Sequence, residues 1–374
     1  MFTDFKYKYS PILSISPSEL NALKELPNKD KDLILPIFPL KSWATTKELS
    51  KTIEKIESTI GKNNYWIADI DYLDLAKRDK AKYRQVHFEL EELIDSSNGY
   101  KNWCDFIKEH DNCIPSVQLK DLSGFAYQLN TLASLQRGVV VIIKPFDIES
   151  KVTQNILPEL VNIQDLFIVL DLEQITKAQV DAKEDIANYL RVIQQALPNA
   201  LLSVSSTSFP DGFGGYYRSV NTIYERALYN KLKIDFPDLI YSDRGSTRAT
   251  KMSGGAGVPP PRIDYSCKDE WNFIRMEFSD DNASLPSELK KEEKKEEKKE
   301  LYTLIAQKIM LEPYWESDLG LWANYIIELT SKGDDYGINN AMKATAVRIN
   351  KHLHTQLHYD EILTVDDTDD DWVD

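Results

Sequence analysis

Short β-branched apolar runs alternate with stretches of helical periodicity along the first two thirds of the chain. The clearest run, residues 138–145 (GVVVIIKP), is continuously apolar, which is typical of a strand covered on both faces. Residues 49–60, by contrast, place Leu49, Ile53, Ile56 and Ile60 at helical spacing. The alternation therefore predicts a series of βα units built around parallel strands.

Eight runs of this kind predict strands, and each segment between them is long enough for a right-handed crossover. The predicted strands cover residues 11–15, 33–40, 65–73, 113–119, 138–145, 167–171, 200–205 and 239–241. Eight units over roughly 240 residues match a (β/α)8 barrel, which typically has about 250 residues. We therefore predict an α/β fold with a TIM-like (β/α)8 barrel and a C-terminal helical extension. An open doubly wound sheet is the alternative.

The pattern predicts one long helix over residues 178–197 and another over residues 216–231. Residues 239–278 then form the last strand, a Gly/Pro-rich loop that we predict to be a mobile flap over residues 253–257, and a strand-like run over residues 271–278. Residues 290–300 (KKEEKKEEKKE) carry opposite charges at i,i+4 spacing, which indicates the exposed start of a helix.

These patterns predict four regions. They are an α/β barrel domain over residues 1–278, a charged helix or linker over 279–300, C-terminal helices packing on the barrel over 301–360, and an acidic tail over 361–374. The tail, with the sequence DDTDDDWVD at its end, has the composition of a disordered segment.

The composition narrows the class of protein. The 374 residues carry a net charge of −15, which argues against a general nucleic-acid binder because such proteins need a basic face. No apolar run reaches the roughly 18 residues that a membrane span needs, and the N-terminus has no apolar signal segment. The three cysteines lack CxxC spacing, which favours a reducing, cytoplasmic location.

Charged side chains recur where the predicted strands end, and the carboxyl ends of parallel strands carry the functional groups of α/β folds. Lys41, Gln118, Asp147, Ser205 and Ser206 stand at such ends. The candidate pocket consists of Asp69, Asp71, Lys120, Lys144, Asp171, Glu173, Asp243, Arg244 and Arg248. This mixture could serve acid–base chemistry or hold a phosphate-bearing ligand, and the structural alternative is a set of ion pairs across the barrel mouth.

Other motifs point away from standard chemistry. The Gly-rich residues 253–257 lack the order of a phosphate-binding loop, and no GxSxG or HExxH motif is present. His352, His354 and His358 could ligate a metal if their segment were extended, but no carboxylate motif with a known metal spacing accompanies them. We predict surface or helix-capping histidines, no metal and no cofactor.

Several blocks of the chain resemble the phage "beta protein" family of bacteriophages, their satellites and bacterial mobile elements. The blocks are residues 9–13 (YSPIL), 35–40 (LPIFPL), 241–243 (YSD), 262–265 (RIDY), 271–275 (WNFIR) and 348–353 (RINKHL). The chain departs from the expected glycine at Ser242 and Met276. The resemblance implies a cytoplasmic protein of a phage or defence locus, in a family whose founding member is linked to neutralising a companion killer protein. It supplies no catalytic residues.

The resemblance and the missing catalytic motifs favour an interaction protein of a phage-conflict system, which would bind a partner protein encoded by a neighbouring gene. The alternative is a barrel enzyme that acts on a phosphate-containing substrate through the candidate pocket. We expect no membrane association and no direct contact with nucleic acid in the interaction role.

Overall fold

The computed structural model describes residues 6–212, 215–250, 259–279 and 287–361, with only the backbone described at residues 287–293. Contacts divide the chain into two units. Unit 1 consists of residues 1–16, 31–208 and 224–245, and unit 2 of residues 17–30, 209–223 and 246–374. No helix among the described residues has both the length and the apolar character that crossing a membrane requires.

Unit 1 is a mixed α/β structure with two parallel sheets. The first sheet has the order β1 (Ile37–Leu40), β2 (Trp66–Ile70) and β3 (Cys113–Pro115). The second has the order β4 (Val139–Ile143), β5 (Leu166–Gln174), β6 (Leu201–Thr207) and β8 (Ile240–Tyr241). All five residues of β4 are buried, as the continuous apolar run predicts.

Helices lie between these strands in the chain. They are α3 (Leu49–Ile60), α4 (Tyr72–Ala76), α5 (Gln85–Leu93), α6 (Ser97–Lys108), α7 (Phe125–Ala133), α8 (Pro145–Glu149), α9 (Val152–Leu160), α10 (Lys177–Asp181), α11 (Lys183–Ala196) and α12 (Tyr224–Asp235). In α3 the four apolar residues at helical spacing are all buried, so the predicted face is confirmed. Ala182 separates α10 from α11, so the single helix predicted over residues 178–197 was wrong.

Isolated bridges extend the pairing beyond the named strands of unit 1. Tyr9 forms parallel bridges with both Ile34 and Tyr241, and Ser116 forms one with Val140. The buried core includes apolar side chains from every one of these segments, namely Tyr7, Ile12, Leu35, Ile37, Ile67, Ile114, Val140, Ile142, Phe167 and Val169, with Leu201 and Ile240 packed against them. Burial of this apolar surface is the main stabilising term of the unit.

Unit 2 contains an antiparallel sheet with the order β7 (Arg218–Thr222), β10 (Glu270–Arg275) and β9 (Arg262–Ser266). Its helices are α1 (Pro17–Lys24), α2 (Asn28–Lys31, whose last residue belongs to unit 1), α13 (Ser287–Met310), α14 (Trp322–Ser331) and α15 (Ala341–Leu357). Helix α15 packs on β9 and on α1. The charge run falls inside α13, which confirms the helix predicted there.

Two predictions for unit 2 were wrong. The first part of the helix predicted over residues 216–231 is the strand β7, and the helix begins only at Tyr224. Pairing with β10 decides this, because Val220 lies opposite Asn272 in that sheet. Strand β9 was missed within the Gly/Pro-rich segment. The predicted flap over residues 253–257 and the tail over residues 366–374 lie outside the described residues.

The observed division differs from the predicted regions. Strands β9 and β10 lie within the region predicted as one barrel domain, residues 1–278, yet they belong to unit 2 together with α13, α14 and α15. The N-terminal helices α1 and α2 belong to unit 2 as well, apart from the last residue of α2. Three separate pieces of the chain therefore build unit 2.

Candidate functional site

The strands of unit 1 change from apolar to polar side chains towards their carboxyl ends. In β5, Phe167 and Val169 lie in the buried core, and Asp171 continues the same face because side chains alternate along a strand. By the same alternation Lys144 continues the face of Ile142, just beyond the end of β4. The face that carries the core therefore ends in charged groups.

Three polar contacts involve these groups directly. Lys144 Nζ lies 3.8 Å from Asp69 Oδ2, and Ser116 Oγ donates to Asp69 Oδ1 at 3.0 Å. Arg244 Nη2 donates to Asp171 Oδ2 at 2.5 Å. Asp171 is 1% exposed, so this ion pair is far more buried than Lys144, whose side chain is 36% exposed. The cluster thus contains one enclosed ion pair and one accessible cation.

The electrostatics keep Lys144 charged. Burial alone would lower the pKa of Lys144, but the carboxylates of Asp69, Asp171 and Glu173 outweigh burial and the nearby Arg244, and the pKa is raised. A lysine that acts as a base or as an amine nucleophile needs a lowered pKa. Lys144 is therefore suited to holding an anionic group, and not to proton abstraction.

A distortion of the backbone places Glu173 beside this group. The register between β5 and β6 shifts between Asp171 and Gln174, and Glu173 has a φ of 58° in the left-handed region. Its backbone N–H donates to Asp171 Oδ1 at 3.1 Å. Ser205 pairs with Asp171 in the register, and its buried Oγ has no hydrogen-bond partner among the described residues. Such irregularities often occur next to functional sites.

Asp71 and Lys120 occupy neighbouring positions in different roles. Asp71 caps α4 and lies 3.9 Å from Lys41 Nζ. Lys120 is exposed, and its Nζ lies 5.4 Å from the centre of the Tyr72 ring. The Tyr72 hydroxyl donates to Gln118 Oε1. Neither Asp71 nor Lys120 makes a described contact with Lys144. These two residues therefore lie outside the Lys144 group and are polar residues at its border.

Asp243 and Arg248 do not join the Lys144 group. The buried Asp243 carboxylate accepts hydrogen bonds from the Tyr9 hydroxyl, from the Tyr241 hydroxyl at 2.8 Å and from the Gly245 N–H at 2.7 Å. Burial and the Asp243 charge raise the pKa of both tyrosines. Arg248 belongs to unit 2, where its Nε donates to the Pro210 carbonyl at 3.0 Å. Of the nine predicted pocket residues, the structure brings together Asp69, Lys144, Asp171, Glu173 and Arg244.

Sequence patterns did not point to Glu225, which is 3% exposed in the first turn of α12. Its Oε2 accepts from the Ser208 N–H at 2.9 Å and from the Ser208 hydroxyl. Burial, with the nearby Asp243 charge, raises the pKa of Glu225 to about 8. An acidic residue in a first helical turn usually only favours the helix dipole, so its burial could not be foreseen.

His352 and His354 are not on the surface, so the prediction was wrong for these two, whereas His358 caps the C-terminal end of α15, as predicted. His352 and His354 are buried in α15, at 0% and 2% exposure. Asp30 accepts from His354 Nδ1 at 2.7 Å and lies 2.9 Å from His358 Nε2. Asp30 stands 324 positions before His354 in the chain, so sequence spacing could not connect them.

Comparison with known proteins identifies the family. A family profile described as Beta protein matches residues 9–358. The chain belongs to the Beta protein family. A relative in that group, Protein beta of Enterobacteria phage P4, is 27% identical over 368 residues and covers 96% of this chain and 95% of its own length. The resemblance inferred from short sequence blocks is therefore confirmed.

A solved structure, the biosynthetic arginine decarboxylase SpeA from Campylobacter jejuni, aligns with 95% of this Beta-family chain and with 56% of its own length. The chain thus spans just over half of that enzyme. The identity is 11% and the TM-score is 0.32, so the alignment carries no argument about fold or activity. The Beta protein match itself includes every predicted pocket residue, from Asp69 to Arg248.

Proposed function

We propose that this protein acts in a phage or prophage conflict system by binding a partner protein encoded by a neighbouring gene. The observation that carries the proposal is membership of the Beta protein family together with a relative from a phage. The family resemblance implies that the partner is a companion killer protein, which this protein would neutralise. Neutralisation by binding needs a complementary surface and no catalytic group.

The edge strand β7 offers such a surface in unit 2. Among the described residues it pairs with β10 on one side only, and Tyr216, Tyr217 and Val220 are exposed by 69%, 66% and 54%. Exposed edge strands add a partner strand readily, and clustered apolar side chains mark interaction sites. We therefore propose that the partner binds to β7 and to the two tyrosines before it.

Co-purification tests this assignment. The chain is tagged and expressed with its neighbouring genes, and bound proteins are identified after affinity purification. We expect Val220→Asp to remove the partner, because a charge on the edge strand opposes strand addition. Ile234→Ser is the matched control, since Ile234 is 78% exposed on α12 and lies in unit 1. A chain that purifies alone while still protecting cells would contradict the proposal.

A second candidate function uses the Lys144 group of unit 1. We propose that the eight parallel segments of this unit close into a (β/α)8 barrel whose mouth holds a phosphate-bearing ligand. Support for closure comes from Tyr9, which bridges to both Ile34 and Tyr241, and from the bridge between Ser116 and Val140. In a closed barrel, these bridges would join the two parallel sheets at both of their edges.

Amide hydrogen exchange tests closure. The Ser10 and Ile12 N–H groups donate to the Tyr241 and Asp243 carbonyls at 2.9 Å and 2.8 Å, and the Val117 N–H donates to Val140 at 2.9 Å. In a closed barrel these three amides exchange as slowly as those of β4. Exchange at the rate of exposed loops would favour the open sheet.

Ligand binding is tested with inorganic phosphate and nucleoside triphosphates by calorimetry. Lys144 is the accessible cation of the cluster, so we expect Lys144→Gln to weaken binding at least about tenfold, near 1.4 kcal/mol. Lys77→Gln is the control, because Lys77 is an exposed lysine of the same unit. Equal affinities for the wild type and both variants would remove the ligand site and leave the partner proposal intact.

A further inference from the structure

Two distant parts of the chain place three metal-ligand side chains together in unit 2. Asp30 lies in α2, His354 lies in α15, and His358 follows the last residue of α15. One donor atom from each residue lies within 4.8 Å of the other two. The spacing of four residues puts both imidazoles on the same side of the helix. Asp30 is 0% exposed and His354 is 2% exposed, so the group is built into the fold.

Both ring nitrogens of His358 face carboxylates. His358 Nδ1 lies 2.6 Å from Glu361 Oε2, and His358 Nε2 lies 2.9 Å from Asp30 Oδ1. If Nδ1 donates its proton to Glu361, a neutral ring presents the Nε2 lone pair to the Asp30 oxygen. Two lone pairs repel, so a positive charge has to lie between them, either as a second ring proton or as a cation.

His354 has a similar imbalance. Its Nδ1 lies 2.7 Å from Asp30 Oδ2, whereas its Nε2 is buried and has no hydrogen-bond partner among the described residues. A neutral His354 with its proton on Nε2 can therefore present the Nδ1 lone pair to a cation without losing a described hydrogen bond at Nε2. Asp30 thus faces two imidazoles in a largely buried site, where a bound cation would be held strongly.

We propose that Asp30, His354 and His358 bind a divalent transition-metal ion, Zn²⁺ in the first place. Two imidazole nitrogens and one carboxylate oxygen form a ligand set that zinc uses with a water in the fourth position. Glu361 would accept a hydrogen bond from the second ring nitrogen of His358, since metal-binding histidines commonly donate their second N–H to a carboxylate. The exposed fraction of the His358 side chain, 11%, gives solvent access to the fourth position.

The geometry requires an adjustment of the side chains. Ligand atoms about 2.0–2.1 Å from a tetrahedral ion are about 3.3 Å apart. His354 Nδ1 lies 2.7 Å from Asp30 Oδ2 and His358 Nε2 lies 2.9 Å from Asp30 Oδ1, and one donor atom from each residue lies within 4.8 Å of the other two. Side-chain rotations that move donor atoms by up to about 1.5 Å would bring all three to the ligand distance. The bound ion would link α2 to the end of α15 and thereby stabilise unit 2.

Metal binding is tested on the full chain after removal of metals with a chelator. Zn²⁺ is titrated in competition with a chromophoric chelator, and Co²⁺ is added separately to record its visible absorption. We expect one ion per chain, cobalt bands of a four-coordinate site, and a melting temperature that rises with Zn²⁺. No competition for Zn²⁺ and an unchanged melting temperature would overturn the proposal, because Asp30 would then only hold a protonated His358.

Variants separate this site from adventitious binding. We expect His358→Gln and Asp30→Asn to weaken Zn²⁺ binding more than 100-fold, and Glu361→Gln to weaken it about 10-fold to 100-fold through the outer contact. His110→Gln is the control, since the His110 ring contacts the Phe106 carbonyl in unit 1. Circular dichroism checks that each variant is folded. Equal Zn²⁺ affinity in His358→Gln, Glu361→Gln and the wild type would overturn the proposal.

Discussion

At the residue scale, the two cations beside Asp171 have different roles because their exposure differs. Arg244 is 14% exposed and forms a direct ion pair with Asp171, whereas Lys144 is 36% exposed and reaches Asp69 only at 3.8 Å. Removing one partner of a buried pair leaves an uncompensated charge, which costs more than the pair itself contributes. Arg244 is thus mainly a structural residue, and Lys144 is the residue available to a ligand.

We expect Arg244→Gln to lower the free energy of unfolding by about 3–5 kcal/mol, because Asp171 stays buried without its cation. The double variant Asp171→Asn with Arg244→Gln should recover part of this loss, since no charge is then left alone. Urea denaturation of the single and double variants measures both effects. Equal stability of the wild type and Arg244→Gln would show that Asp171 finds another partner.

Glu225 makes stability depend on pH. Its pKa is raised to about 8 from an ordinary 4.5, so the folded chain holds a proton at Glu225 that the unfolded chain has lost between those values. The stabilisation is fully present below about pH 4.5 and is lost as the pH rises through about 8. We expect the stability of the wild type relative to Glu225→Gln to fall by roughly 1.4 kcal/mol per pH unit in this range.

Chemical denaturation at pH 5, 6, 7 and 8 checks this slope. The glutamine variant keeps an acceptor for the Ser208 N–H and resembles the protonated acid, so it should lack the dependence. A constant difference between the two proteins across this range would mean that Glu225 is ionised in the folded chain.

At the element scale, close approach of the backbone decides how α6 and α7 pack. A Cβ atom on Gly124, just before α7, would lie 2.4 Å from the Gly99 Cα atom. Gly99 has a φ of 68° and lies between Asn98 and Tyr100, which are also left-handed. Only glycine fits at such a contact, because neither backbone can yield without moving its helix.

We expect Gly124→Ala to lower the free energy of unfolding by about 2–3 kcal/mol, because the added methyl group meets backbone atoms. Gly212→Ala is the matched control, since a Cβ atom there would have nothing within 4 Å. Thermal unfolding of both variants measures the difference. Similar melting temperatures would indicate that α6 and α7 separate easily.

At the scale of the whole molecule, the charge of −15 acts on any association. A strongly acidic chain attracts basic partners over a distance, and salt screens that attraction. If the proposed partner presents a basic face, we expect its association rate to fall at least about tenfold between 0.05 M and 0.3 M salt, with a smaller change in the dissociation rate. Surface plasmon resonance measures both rates, and a salt-independent association rate would argue for an apolar contact alone.

The sequence by itself indicated seven of the eight predicted strands and most of the helices of unit 1, whereas residues 11–15 form one isolated bridge at Ile12 and no strand. Continuous apolar runs such as β4 and helical faces such as that of α3 depend on local periodicity, which is visible without any tertiary contact. The family could also be recognised from the sequence, because short blocks of residues resemble it. Part of the candidate pocket could be predicted, since Asp69 and Asp171 lie in the carboxyl-terminal halves of two parallel strands and Lys144 follows a third.

Only the tertiary structure decided the rest. The segment of β7 has the local sequence pattern of a helix, but its pairing with β10 makes it a strand. The packing of the chain places Asp243 beside Tyr9 and Tyr241, which donate hydrogen bonds to it. The group of Asp30, His354 and His358 joins residues from opposite ends of the chain. Periodicity reports on neighbours within a few residues, whereas burial and the meeting of distant charged groups depend on how the whole chain packs.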